Sequence, residues 1–557
     1  MTQVGEGVAV LMIGDNPDKE PEKTKKEPIT LRISVFFDGT GNNRANIKAR
    51  QGNSADYKVV KKQDPGKALP GQDAKNVGTS NASFENDFSN VSYLEEGFLS
   101  TDDNDYHASI YVEGAGTQDL RAVSKVYEDD MRVYQEKIDI WQQTAMYAST
   151  PVFPPSKPKF KVDSSAGNAM ATGTTGIYAK MQSGINQISD WYQGFLEEEK
   201  ISSDKYYISN ITIDLFGFSR GAATARSFIH YLMKGEQVFY TKVKTRSRGS
   251  RSVKKTVPTS NLLMKLNANG VDVARDALVF GFVGVFDTVS SYVNALSSDV
   301  DDLHLDAIKH AKKVYHLAAA EEHRLCFSLT DISSAKNKGT GEEYYLPGVH
   351  SDVGGGYREA GAIPEVGSIL DHSFAMKTLS KFSVGDIKLS EYAKQIEKEG
   401  WFSSKKKDLK TQKSEIDVKK EKRIWVGPMG YGVHEYEEET EINIYRNSVK
   451  NTYRTIPFNL MFEETKKNGF SFNGQAKRLN KVPGELSQVD SDVRSYISSA
   501  GNSSKASHWF EKSSSQSPGG FDLEKLRNEH LHYSATMSVG LWPRIRKGKK
   551  IREFYQG

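Results

Sequence analysis

Residues 211–230 read ITIDLFGFSRGAATARSFIH, an apolar run that stops at Ser219, with one glycine two positions before it and another two positions after. A serine held on a sharp strand-to-helix turn has its hydroxyl pushed outward, and the crowded backbone leaves no room for a β-carbon at either flank. Among 46 glycines in 557 residues the pentapeptide GFSRG alone is a weak signal, so its surroundings must give it weight. YYISNITIDLFGF before it has the make-up of a buried strand. RGAATARSFIHYLM after it reads as a helix whose Ala222, Ala223 and Ala225 would let it lie close against the sheet it has just left.

Working outward, strands alternate with helices. LRISVFF (31–37) breaks at the glycine-rich DGTGNN, and ASIYVEGAGT (108–117) is a second strand and glycine loop. Residues 120–147 place Val123, Tyr127, Met131, Tyr134, Ile138, Trp141 and Met146 mostly at helical spacing, and 176–198 does the same through Ile177, Met181, Ile185, Ile188, Trp191 and Phe195. ALVFGFVGVFDTV (277–289) is a buried strand ending at Asp287, VYHLAAAEEHRLCF (314–327) a further strand or short helix, and YYLPGVHSDVGGGY (344–357) a strand running into a glycine-rich loop. This order predicts an α/β fold, a mostly parallel sheet flanked by helices, and the strand–GFSRG–helix turn makes it α/β-hydrolase-like.

Residues 14–29 are charged and proline-punctuated, and a disordered tail is expected over 1–29. A catalytic domain is expected over 30–370, with insertions at about 45–105 and 240–260. From 371 to 557 the texture changes. SILDHSFAMKTLSKF and IPFNLMFEETKKNG read as helical, 405–423 is lysine-rich, and 485–520 is serine-rich and loop-like. This is expected to be a C-terminal accessory region, a lid or membrane-facing part that packs partly on the catalytic domain.

Composition narrows the function. The chain is 37% hydrophobic with net charge +4, so nothing global points to nucleic acid. No apolar run approaches the length of a membrane span. The short apolar run near residue 10 has no basic residue before it, so no secretory signal is read there. The single cysteine, Cys326, excludes an internal disulfide and fits folding in a reducing cytoplasm. DGTGNN lacks the lysine and spacing of a P-loop, and Asp38 and Asp352 have no histidine or cysteine cluster beside them, so neither a cofactor nor a metal is expected.

A serine hydroxyl is a poor nucleophile without a base that is itself oriented by a third group. In α/β-hydrolases these follow in the order serine, acid, histidine, on loops at the carboxyl ends of strands. Asp287 and His350 meet both conditions. The alternative for Asp287 is that it merely caps the turn DTVSS, and His316, His323 and His532 are rivals to His350. His323 looks solvated, whereas His532, late in the chain, is the serious competitor. The oxyanion hole needs backbone donors: the amide of Arg220, and a second from Gly39 or Thr40.

FFDGTGNN, GFSRGAATAR, GVFDTV and PGVHSDVGGGY together resemble the four signature blocks of a bacterial α/β-hydrolase family, the GxSxG branch of the type VI secretion lipase effectors. The resemblance covers about residues 31–360. It implies a phospholipase A (A1 or A2) acting on membrane glycerophospholipid, with Ser219, Asp287 and His350 at the family's catalytic positions. It also implies an antibacterial effector made in the cytoplasm, loaded on a secretion spike protein, and delivered to a target cell's periplasm, with an immunity protein in the producer. The alternatives are a cytosolic serine esterase or peptidase, and a non-catalytic binding protein on the same scaffold. The resemblance does not reach KVKTRSRGSRSVKK (242–255), whose seven basic residues and lack of acidic ones predict an exposed mobile loop, either idle or drawn to an anionic membrane. Trp401, Phe402, Trp425 and Tyr431 are expected in the core or in an apolar rim around the lipid entrance.

Overall fold

The computed structural model describes residues 26–63, 79–98, 106–145, 153–164, 173–234, 236–244, 250–258, 261–268, 270–291, 300–358, 374–379, 383–384, 387–405, 416–426, 433–444, 449–473, 481–500, 521–535 and 541–557. Six parallel strands form the central sheet: β1 (Glu27–Phe37), β2 (Tyr106–Val112), β3 (Tyr206–Phe218), β4 (Leu278–Phe286), β5 (Lys313–Ala319) and β6 (Gly341–Leu346). Their spatial order is β2-β1-β3-β4-β5-β6. The apolar runs read from the sequence suit strands covered on both faces. The alternative of a short helix at 314–327 is settled in favour of β5.

Strand order reverses between β1 and β3, because the chain first steps outward to β2 and then returns to build the other side. Ligands in open α/β sheets bind in the crevice at such a point, outside the carboxyl ends of the strands. Here the register places Phe37 beside Gly217 and Phe218 beside Phe286, so the loops after β1, β3 and β4 emerge together.

One face of the sheet is covered by α2 (Ile177–Glu198) and α3 (Arg220–Met233). Ala222, Ala223 and Ala225 are fully buried, as their size requires for close packing on the sheet. Ile177, Met181, Ile185 and Ile188 form the buried stripe of α2, but Tyr192 takes the core position expected for Trp191, which stacks on Phe195 at the edge. The long helix α1 (Leu120–Ala145) lies where the spacing predicted it, yet Val126, Val133 and Ile140 are exposed.

The other face is covered by segments far along the chain. Phe36 stacks on Phe216 at 4.4 Å, and Phe470, just beyond α4 (Thr455–Lys467), meets Phe216 edge-on at 5.6 Å. Residues 541–557 then return to the segment after β5, where Phe554–Tyr555 pairs in parallel with Leu329–Thr330 in a separate two-stranded sheet.

Several local expectations are corrected. β1 already begins at Glu27, inside the expected tail, whose residues 1–25 lie outside the described residues. The 45–105 insertion carries helices at Arg44–Gln51, Ala55–Gln63 and Asn90–Glu96. The basic insert is no irregular loop: Glu236–Lys244 and Ser250–Pro258 pair antiparallel, while 245–249 lie outside the described residues. Phe374–Leu379, read as helix, is a strand against Val433–Ile444, which also pairs with Ile416–Val426. Ser487–Ala500, read as loop, is a helix. Trp401 and Phe402 are core residues packed on Tyr533, which removes them from any rim; Tyr431 and the side chain of Trp425 lie outside the described residues.

Candidate active site

β3 delivers Ser219 with φ 60° and ψ −128°, a left-handed conformation that costs a residue with a side chain on the order of 1–3 kcal/mol. The two flanking glycines answer to crowding. A β-carbon on Gly217 would lie 2.5 Å from the Ala222 Cα, and one on Gly221 would lie 2.3 Å from the Asp38 carbonyl oxygen and 2.4 Å from that of Phe37. The nucleophile turn is thus wedged against the loop after β1. It is also tied to the loop after β4, since the Ser219 amide donates to the Phe286 carbonyl at 3.1 Å and the Val289 amide donates to the Ser219 carbonyl at 3.3 Å.

Asp287 also has a positive φ, 41°. Its side chain is fully buried, and its Oδ2 accepts from His350 Nδ1 at 2.5 Å. That bond fixes the imidazole tautomer with Nε2 as its acceptor. His350 is held between rings, with Phe218 at 4.6 Å and Phe327 at 5.0 Å, so the residue before the serine packs on the histidine. No hydrogen bond joins Ser219 Oγ to His350 among the described residues; catalytic contacts of this kind often tighten only when substrate is bound.

Charged groups that the sequence did not reveal surround this pair. Arg552 grips Asp287 with two nitrogens, Nη1 to Oδ1 at 2.6 Å and Nη2 to Oδ2 at 2.8 Å, while the Ala319 amide donates to Oδ1 at 2.8 Å. Glu322 accepts the His350 amide at 3.2 Å and is itself gripped by Arg324, at 3.0 and 2.8 Å, and by Ser534. Burial opposes the charge on Asp287, but the Arg552 guanidinium and then the His350 hydrogen bond hold its carboxyl well below the usual range. Burial pushes the His350 imidazole below its ordinary value, against the pull of Asp287.

The rival histidines have other partners. His316 donates from Nδ1 to Glu343 at 2.9 Å and accepts the Thr288 amide at 3.2 Å, bracing the acid loop from behind. His323, expected in solvent, is buried, donating to the Glu321 carbonyl and bonding the Tyr533 hydroxyl. His532 Nδ1 donates to Asp352 at 2.7 Å, and its ring stacks on Tyr357 at 3.8 Å. Asp352 also accepts the Val349 amide, so this second pair fastens the short helix His350–Gly354.

In the loop after β1, the Gly39 amide donates to Asp38 Oδ1 at 2.7 Å, whereas the Thr40 hydroxyl oxygen is buried with no hydrogen-bond partner among the described residues. Asp38 is further held by the Tyr111 hydroxyl at 2.6 Å. Among the described residues no group of three or more histidine, cysteine, aspartate or glutamate side chains is placed to hold a metal ion, and no helix is long and apolar enough to cross a membrane.

The profile of the family described as "T6SS, Phospholipase effector Tle1-like, catalytic domain" matches residues 76–382. Among solved structures, the Tle1 effector bound to the VgrG spike of the type 6 secretion system is similar at 18% identity and TM-score 0.51, covering 100% of this chain and 99% of that one. An uncharacterized protein from Pseudomonas aeruginosa matches at 17% identity and TM-score 0.26, over 59% of this chain and 42% of its own. No curated protein matches.

Proposed function

The chain belongs to the Tle1-like phospholipase effectors of type VI secretion, and from that premise we propose that it is a phospholipase A working through Ser219, His350 and Asp287. The observation that carries this reading is the 2.5 Å bond from His350 to a buried Asp287, on the strand end next to the one that bears Ser219.

In this reading Ser219 Oγ attacks the acyl carbonyl carbon of a glycerophospholipid, and His350 Nε2 takes the hydroxyl proton. The tetrahedral oxyanion is met by the Arg220 amide and, from the β1 loop, by Thr40, since the Gly39 amide is engaged by Asp38. Collapse expels the lysophospholipid alkoxide, which receives the proton from His350 and leaves Ser219 acylated. Water, deprotonated by the same nitrogen, then releases the fatty acid. Asp287 orients the imidazole and stabilises the imidazolium without taking the proton.

The likeness to an effector solved on the VgrG spike supports a spike protein as delivery partner, and the lipid chemistry supports action on the membrane of a target cell's periplasm, with an immunity protein in the producer. The test is incubation with vesicles of a phospholipid carrying palmitate at sn-1 and oleate at sn-2. Release of one acid by the native chain, and none by Ser219→Ala, supports the reading and assigns the ester attacked. Equal release by both proteins overturns it.

A further inference from the structure

Asp287 has a partner that a serine–histidine–aspartate set does not require. Residues 541–557 are stitched to the loop that follows β5. The Leu325 amide donates to the Trp542 carbonyl, the Leu329 amide to Glu553, the Asp331 amide to Tyr555, and the Arg544 amide to His323. This lacing aims the Arg552 side chain inward, where it is 4% exposed. Its Nε donates to the Phe327 carbonyl at 2.8 Å and its Nη1 to the Ala319 carbonyl at 3.0 Å, so the guanidinium plane is fixed before it meets the two carboxylate oxygens.

We propose that Arg552 is a positioning residue of the catalytic set, holding both oxygens of Asp287 so that one lone pair faces His350 and offsetting the charge that Asp287 places beside the imidazole. This rests on the proposed roles of Ser219, His350 and Asp287. A planar fork matched to a carboxylate fixes its rotation in a way that a point charge cannot. The charged groups coupled to the His350–Asp287 pair are Glu322 and Arg324, after β5, and Arg552. Each carboxylate has its own guanidinium, so the surroundings of the imidazole are balanced. Removing Arg552 leaves one negative charge in excess within a buried site.

The direction of the effect follows. An uncompensated Asp287 favours an added proton on the His350–Asp287 pair, whichever of the two carries it. The competent form, neutral imidazole beside carboxylate, is then lost at higher pH. In the native chain the guanidinium keeps that form populated to lower pH.

The experiment measures pH profiles of kcat and kcat/KM on monomeric diheptanoyl phosphatidylcholine with the full chain and four variants. Arg552→Gln is expected to move the acidic limb of kcat/KM up by about one pH unit or more, with a loss of plateau kcat of about tenfold or more. Arg552→Lys keeps the charge and loses the fork, so its limb stays in place while plateau kcat falls. Arg546→Gln, at an exposed position in the same segment, leaves both unchanged. Ser219→Ala must be inactive; if it is active, the catalytic roles are wrong irrespective of Arg552. With Ser219→Ala inactive, a folded Arg552→Gln with an unmoved limb overturns the proposal, and Arg552 is then a structural staple only. If Arg552→Gln does not fold, Arg552→Lys decides: reduced kcat on an unmoved limb supports the positioning role, and native kcat overturns it.

Discussion

Ser219 and Asp287 both sit at positive φ, where side chains are disfavoured, at the ends of adjacent strands, and Asp287 bonds a histidine whose ring contacts Phe218 and Phe327. Strain retained at two neighbouring strand ends is characteristic of a site whose geometry is fixed before substrate arrives. Ser219→Ala should abolish the covalent step and cut phospholipid turnover by several orders of magnitude, with an unchanged circular dichroism spectrum. His350→Ala should be nearly as damaging, whereas His532→Ala should keep turnover per folded molecule and lose about 1–3 kcal/mol of stability as Asp352 loses a buried partner. An inactive, folded His532→Ala beside an active His350→Ala would transfer the role of base. His323 gives a separate test. Burial first, and then Lys550, push its pKa from 6.5 down to about 4. Between those values the unfolded chain binds a proton that the folded chain refuses, so this group's contribution is complete above pH 6.5 and is lost as pH falls. Comparing denaturant unfolding at pH 7 and pH 5, His323→Gln should lessen the acid loss of stability by up to about 1.4 kcal/mol per pH unit. Identical pH slopes in the two proteins would refute this.

The nucleophile helix α3 starts under the loop after β1, and this packing explains the fenced serine. Gly221→Ala would drive a methyl group into the Asp38 and Phe37 carbonyls, so it should lower both the melting temperature and the rate, and a native rate would exclude the wedge. The central strands and their order along the chain were legible because parallel strands covered on both faces leave long apolar runs bounded by glycine loops. Ser219, Asp287 and His350 were picked out because each ends such a run. The antiparallel pieces were harder. KVKTRSRGSRSVKK was read by its charge as an exposed loop, although Val243 and Val253 fit the hairpin that the backbone forms. SILDHSFAMKTLSKF has no clean period, and pairing of Phe374–Leu379 with a strand some 60 residues later outweighs its weak helical preference.

Residues after 370 complete the second face of the sheet, a role no local pattern announces. Trp401 is fully buried, with Arg527 over its ring at 5.4 Å and Lys550 paired to Glu399 beside it. Trp401→Ala should therefore cost about 3–5 kcal/mol of stability, while binding of the folded protein to anionic vesicles stays native. Weakened vesicle binding at native stability would restore Trp401 to a membrane-facing rim. Arg552 was illegible for the same reason, since 265 residues separate it from Asp287. That separation has a consequence in time. At roughly 5–20 residues per second, a ribosome needs on the order of 15–50 s to proceed from one partner to the other. Throughout that interval the nascent chain holds its serine and acid, and soon its histidine, while the counter-cation of the acid is still unmade. The aspartate therefore meets its grip only long after the serine, acid and histidine have been made, and until then the half-made protein on the ribosome lacks the group that holds that carboxylate.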